Sequence, residues 1–93
     1  MTDIIERVHR DQETIDRLKS LQKELDAELI VELHMEDGRV VRGTVVERPA
    51  LMQFVDREGN EGTNGVLRLD SGDGAGELML IDDIVRVVRV GRA

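Results

Sequence analysis

Asp56, Glu58 and Asn60 stand at the first, third and fifth places of a stretch that opens like a calcium loop, in which alternate side-chain oxygens converge on a cation. The continuation does not suit a cation. The sixth place is Glu61, where a glycine must make the sharp turn, and the twelfth is Leu67, where an acid would close the coordination shell. The stretch 56–65, DREGNEGTNG, therefore reads as a polar connection between strands, and no metal is expected. Asp82 and Asp83 are adjacent carboxylates at a predicted strand junction. Paired carboxylates do acid–base work when their environments drive their pKa values apart, which scattered or diverging acids do not achieve. Successive residues at such a junction diverge, so one side chain is expected to cap the turn and the other to stay in water. Asp70 to Gly74 is a second acidic turn, made of the Asp and Gly that tight connections use. His9, between Arg7 and Arg10, and His34, on the polar face of a strand, lack ligand-like spacing and read as surface histidines. No nucleophile has a base in view. The chain is expected not to be an enzyme and to carry no cofactor.

Composition narrows the remaining classes. The chain has 93 residues, 20 acidic against 13 basic, and a net charge of −7. A domain of this size buries only about two thirds of its unfolded surface, which favours a single domain, 1–93, that shares stability with another subunit. The charge repels a phosphate backbone unless the basic residues collect on one face. Arg86, Arg89 and Arg92 are the best such group, but Arg86 and Arg89 have opposite parity along a strand and should point to opposite faces. One Phe and no Trp or Tyr leave little for bases to stack on. The lack of Cys excludes disulfides and thiolate metal sites and is compatible with the cytoplasm. No run approaches the roughly 18 apolar residues that cross a bilayer, and no signal-like segment opens the chain. The protein is expected to be cytoplasmic, with no membrane partner.

The elements follow from periodicity. Residues 1–28 are expected to form a helical segment, as one helix or two, because Ile4, Val8, Ile15, Leu18, Leu25 and Leu29 make one helical stripe, widened by Ile5 and Leu21. Thr2 is a candidate N-cap, and Asp11 or Thr14 would cap a second helix if the chain bends there. Asp3 with Arg7, Glu6 with Arg10 and Glu13 with Arg17 are i, i+4 pairs that suggest a solvated outer face. From 29 to 90 the pattern is that of strands. Leu29, Val31, Leu33 and Met35 alternate with polar residues, Asp37-Gly38 marks a hairpin turn, and a second strand containing Gly43 and Pro49 should be long and sharply bent. Val66–Asp70, Glu77–Ile81 and Ile84–Val90 supply three more strands, the last two joined by a one-turn kink at Asp82-Asp83.

A helix followed by five strands, with Asp37, Gly38 and Gly43 at these spacings, resembles the Sm-like fold. The resemblance implies a mainly β domain with an N-terminal helix, its strongly bent five-stranded antiparallel barrel having SH3-like architecture, and Gly38 and Gly43 at its turn and bend. The chain resembles a small bacterial family of uncharacterised proteins in which a variant Sm-like fold follows an N-terminal helical segment. In RNA-binding Sm-like proteins an Asp and an Asn of the first motif contact bases, and an Arg-Gly before the last strand adds a cation. Carried onto this chain, the Asn falls at Asn64, with Glu61 in place of the Asp, or at Gln53, with Pro49 in place of the Asp. Met79-Leu80-Ile81 stands where Ile-Arg-Gly would be, so the Arg is missing. Gln53 and Asn64 are thus the candidate RNA contacts, and any RNA binding is expected to be weak. Sm-like subunits also associate by pairing their last two strands, which implies an oligomer edge at Leu78, Leu80, Val85 and Val87. The favoured expectation is a self-assembling or protein-interaction module, a dimer rather than a ring, with an unidentified protein partner. An atypical RNA-binding protein is the alternative.

Overall fold

The computed structural model describes residues 4–72 and 76–93. One helix, α1 (Gln12–Glu24), precedes six strand segments, β1 (Leu29–Met35), β2 (Val40–Val45), β3 (Leu51–Val55), β4 (Glu61–Asp70), β5 (Gly76–Leu80) and β6 (Ile84–Arg92). The helix begins where its cap dictates. Asp11 holds an extended conformation and its carboxylate accepts from the Thr14 amide at 3.0 Å and the Thr14 hydroxyl at 2.5 Å. From this start Leu18, Leu21 and Leu25 fall on one face at steps of three and four, and all three are buried against the sheet. The polar edges of α1 are tied down as well. The Arg17 guanidinium donates to the Ile84 carbonyl at 2.6 Å, the Gln22 amide donates to the Pro49 carbonyl at 2.9 Å, and Arg48 pairs with Asp26.

The expectation of helix throughout 1–28 is corrected before Asp11. Residues 4–10 form a non-helical arm with two isolated bridges, Ile4 with Val55 and His9 with Thr63. Its stripe of Ile4 and Val8 meets no helix partner, and Ile4 is 68% exposed. The arm instead satisfies its backbone on strand edges, and among the described residues the arginines of the arm and of the first turns of α1 bond groups distant in sequence. Arg7 bonds Asp82 and Asp83, Arg10 lies within reach of Asn60, and Arg17 takes a carbonyl. Thr2 as N-cap and Asp3 as a partner lie outside the described residues.

The sheet is one antiparallel run in the order β3-β4-β2-β1-β6, with β5 added to β4. Its second strand breaks after Val45 and resumes at Leu51, beyond Pro49, and both halves pair with β4: Thr44 opposes Asp70 and Leu51 opposes Gly65. Counted as one bent strand, β2 and β3 make the sheet five-stranded and curl it into an open half-barrel. The bend lies at Val46 and Glu47, not at Gly43. Gly43 has another task, because a Cβ there would stand 2.7 Å from the Asp70 carbonyl oxygen as β4 crosses close to β2. At the β1–β2 turn Gly38 adopts φ +89°, its N–H donates to Met35 and the Met35 N–H donates to Arg39, a three-residue loop whose last residue must be left-handed. One turn of 3₁₀ helix, Ile81–Asp83, joins β5 to β6. Alternation along β1 buries Leu29, Val31, Leu33 and Met35, and these meet the α1 leucines, Val45, Leu67, Leu69, Ile81 and Ile84 in one core. Arg86 opposes His34 on the outer face and Arg89 opposes the buried Val31, so the C-terminal arginines are split between faces.

Candidate functional site

The arm, β4 and the 3₁₀ turn bring together a polar cluster drawn from both ends of the chain. Arg7 donates from Nε to Asp82 at 2.9 Å and from one terminal nitrogen to the other Asp82 oxygen at 3.1 Å. The same nitrogen reaches Asp83 at 2.6 Å. His9 Nε2 lies 2.7 Å from Asp82. Asp82 is the hub, its side chain only 5% exposed while those of Arg7 and His9 are 46% and 23% exposed. Burial alone would raise the Asp82 pKa, but hydrogen bonds from Arg7 and His9, with their charges, outweigh it and hold the carboxyl below its ordinary range. The Arg7 guanidinium is raised in turn, chiefly by its hydrogen bond to Asp82. The 3₁₀ turn has no side-chain cap. The expected division of Asp82 and Asp83 into a cap and a free side chain is therefore corrected: both carboxylates face Arg7, because the arm runs past them. His9 is likewise half-buried in this cluster rather than a plain surface histidine.

The backbone of the arm is gripped as firmly as its side chains. His9 and Thr63 exchange two hydrogen bonds, at 2.9 and 2.8 Å, and Ile5 donates to Val55 at 2.9 Å. Gly62 permits this approach, since a Cβ would meet the His9 carbonyl at 2.8 Å. Asn64 is fully buried, its amide nitrogen donating to the Arg7 carbonyl at 2.9 Å and its oxygen accepting from Gly65 at 2.8 Å. That corrects Asn64 as a candidate RNA contact, because both ends of its amide are spent inside the protein. Gln53 is exposed, bonds the Thr63 hydroxyl at 3.1 Å and lines a shallow hollow with His9 and Arg10. The structure does not bring Gln53 and Asn64 to one surface.

The expected oligomer edge divides too. Leu78 and Val85 are 68% and 53% exposed, whereas Leu80 is buried and Val87 packs against the core. The loop 56–60 is held by Asp56, which accepts from the Glu58 and Asn60 amides at 2.9 Å and from the Asn60 side chain at 3.0 Å, so its oxygens serve the turn. Among the described residues no cluster of three or more metal-ligating side chains occurs, and no helix is long and apolar enough to cross a membrane. The Arg7–His9–Asp82–Asp83 cluster was not visible in the sequence. Its nearest signal was the Asp11 cap with Thr14, which starts the helix at Gln12 and frees the preceding residues for another role.

The chain belongs to the family described as a domain of unknown function, DUF3247, which it matches over residues 2–90. It is similar to a protein from Xanthomonas campestris whose crystal structure adopts a novel variant of the Sm-like motif, with 32% sequence identity, a TM-score of 0.90, and coverage of 97% of this chain and 99% of that one. No curated protein matches the sequence significantly. The fold is therefore a variant Sm-like half-barrel preceded by a helix, as the resemblance implied.

Proposed function

We propose that this member of the DUF3247 family is a non-enzymatic, cytoplasmic module that works by self-assembly or by binding other proteins through the open edges of its sheet. Two edges carry the proposal. Among the described residues β5 bonds only β4 and β6 bonds only β1. Their outer residues include Leu78, Val85 and Val90, all large apolar side chains more than two fifths exposed. Unpaired strand edges with exposed apolar side chains are templates for pairing with another chain. The edges are also complementary in charge, since β6 carries Arg86, Arg89 and Arg92 with no acid, and β5 carries Glu77. A two-fold dimer in which the β5 edge of each copy meets the β6 edge of the other would leave neither edge open.

Light scattering after size exclusion tests this. The expected mass is twice the 10.5 kDa of the chain, falling to the single value when Val85 is changed to Lys. A monomeric wild-type protein at concentrations of tens of micromolar would reject self-assembly.

RNA recognition is the second reading, supported by the Sm-like fold and by the exposed Gln53 beside Arg10. The buried Asn64 and the net charge of −7 weigh against it. Titration of labelled U-rich and A-rich RNA is expected to give dissociation constants above roughly 10 µM at about 0.15 M salt, the range of non-specific binding. Submicromolar, sequence-selective binding would reverse the order of the two readings.

A further inference from the structure

The arm is a ligand seated in a groove that the rest of the fold builds for it. The groove has three fixed features: the Thr63 backbone edge, cleared of a side chain at Gly62; the Asn64 amide, aimed at a carbonyl; and the Asp82 carboxylate, 5% exposed and aimed at cations. With the arm seated Asn64 is fully buried and Asp82 nearly so, and without an arm both would lose these partners, so the groove favours being filled. The arm itself is held differently. None of the residues from Ile4 to Arg10 is buried, and its attachment consists of edge hydrogen bonds and charge. The arm joins the helix at Arg10, just before the extended Asp11 cap.

We propose that the edge of β4 at Thr63 is a binding site for an extended peptide, and that its second occupant, besides the chain's own arm, is the same arm of another copy. The incoming segment makes identical contacts, with Arg7 and His9 of one copy on Asp82 of the other, so exchange costs little beyond association. This site adjoins β5, since residues 4–7 of the arm and residues 77–80 line one hollow, but it holds its occupant by other groups, the Thr63 backbone, Asn64 and Asp82. The tether keeps the chain's own arm at an effective concentration of about millimolar, which masks the site from a free peptide until that arm is weakened.

The test uses a fluorescent peptide of Ile4–Arg10, IIERVHR, titrated by anisotropy into the full-length protein and into the full-length Arg7→Ala/His9→Ala variant. The variant keeps Asp82, Asn64 and Thr63 intact. It is expected to bind the peptide at least about tenfold more tightly than the wild type does, and a peptide carrying the same two substitutions should not bind. Equal affinities for the two proteins, or no binding by the variant, would overturn the proposal. Should the variant fail to fold, the wild-type fold supplies a second measurement: ¹⁵N-labelled protein is mixed with unlabelled copies bearing a nitroxide at Glu6→Cys. Exchange predicts broadening of the Gly62 and Thr63 amides across copies. Broadening confined to β5 and β6, or none, would overturn arm exchange, and the first of these would leave edge pairing standing.

Discussion

Asp82 is the nearly buried carboxylate on which Arg7 and His9 converge. Its carboxylate is favoured in the folded state, so its pKa lies below the unfolded value. The stability it contributes is complete above the ordinary carboxylate range and is lost as pH falls through that range toward the lower folded value. Asp11, Asp37 and Asp56 are also held low, each chiefly by hydrogen bonds within its own turn, and contribute with the same sign. Asp82→Asn should therefore flatten, without abolishing, the fall in stability between neutral and acid pH, as read from urea midpoints across that range. An unchanged slope would show that the pair with Arg7 is not formed in solution. Arg7→Ala leaves His9 to face a nearly buried carboxylate alone. A fully buried pair broken this way costs about 3–5 kcal/mol, but Arg7 is nearly half exposed and screened, so a loss of about 1–2 kcal/mol is expected. Asn64→Ala should cost about 1–3 kcal/mol, because it strips partners from the Arg7 carbonyl and the Gly65 amide. A neutral effect on the denaturant midpoint would free Asn64 for the base-contact role that its place in the motif suggested.

The elements differ in how openly the sequence declares them, and two glycines sit on opposite sides of that divide. Gly38 follows Asp37 between two alternating runs, and a left-handed residue is what such a turn needs. Gly38→Val should destabilise by about 1–3 kcal/mol and Gly38→Asn by less, since Asn tolerates φ +89° far better than a β-branched residue does. Gly43 gives no such local sign. Its need for a bare α-carbon comes from β4, whose Asp70 carbonyl arrives from 27 residues away, so Gly43→Ala should also destabilise even though its backbone is ordinary; the denaturant midpoints of the two series decide this. The same contrast runs through the chain. The β1 alternation, the hairpin and the one-turn kink at Ile81–Asp83 are written in neighbouring residues and are legible. The arm is not, because Ile4, Val8 and Ile15 satisfy a helical period by chance of spacing while Arg7 and His9 answer to Asp82, more than seventy residues along the chain. Burial is equally non-local: motif position pointed to Asn64 and Gln53 alike, and strand position to Leu78 and Leu80, or Val85 and Val87, alike, but packing separates each pair.

The whole molecule leaves an acidic chain with a locally basic last strand, and that asymmetry predicts how an assembly should respond to salt. If the β5 edge of one copy meets the β6 edge of another, the contact combines an apolar part, Leu78 with Val85 and Val90, and a charged part, Glu77 with Arg86, Arg89 and Arg92. The two parts obey different laws. Exposed charges interact over a Debye length of about 10 Å at 0.1 M salt and about 3 Å at 1 M, whereas apolar burial is not screened. Glu77→Lys should therefore weaken dimerisation at low salt, by roughly the tenfold that rim charges of opposite sign can confer, and the defect should shrink as salt approaches 1 M. Leu78→Asn should weaken it by a similar order at both salt concentrations, because about 25 cal/mol is lost for every Å² of apolar surface no longer buried. Sedimentation equilibrium of the wild type and the two variants at about 0.1 M and 1 M salt separates these effects. A dimer indifferent to Glu77→Lys and Leu78→Asn at both salts would be held by some surface other than the β5 edge, and the arm groove at Thr63 would then be the contact to examine by the Arg7→Ala/His9→Ala variant.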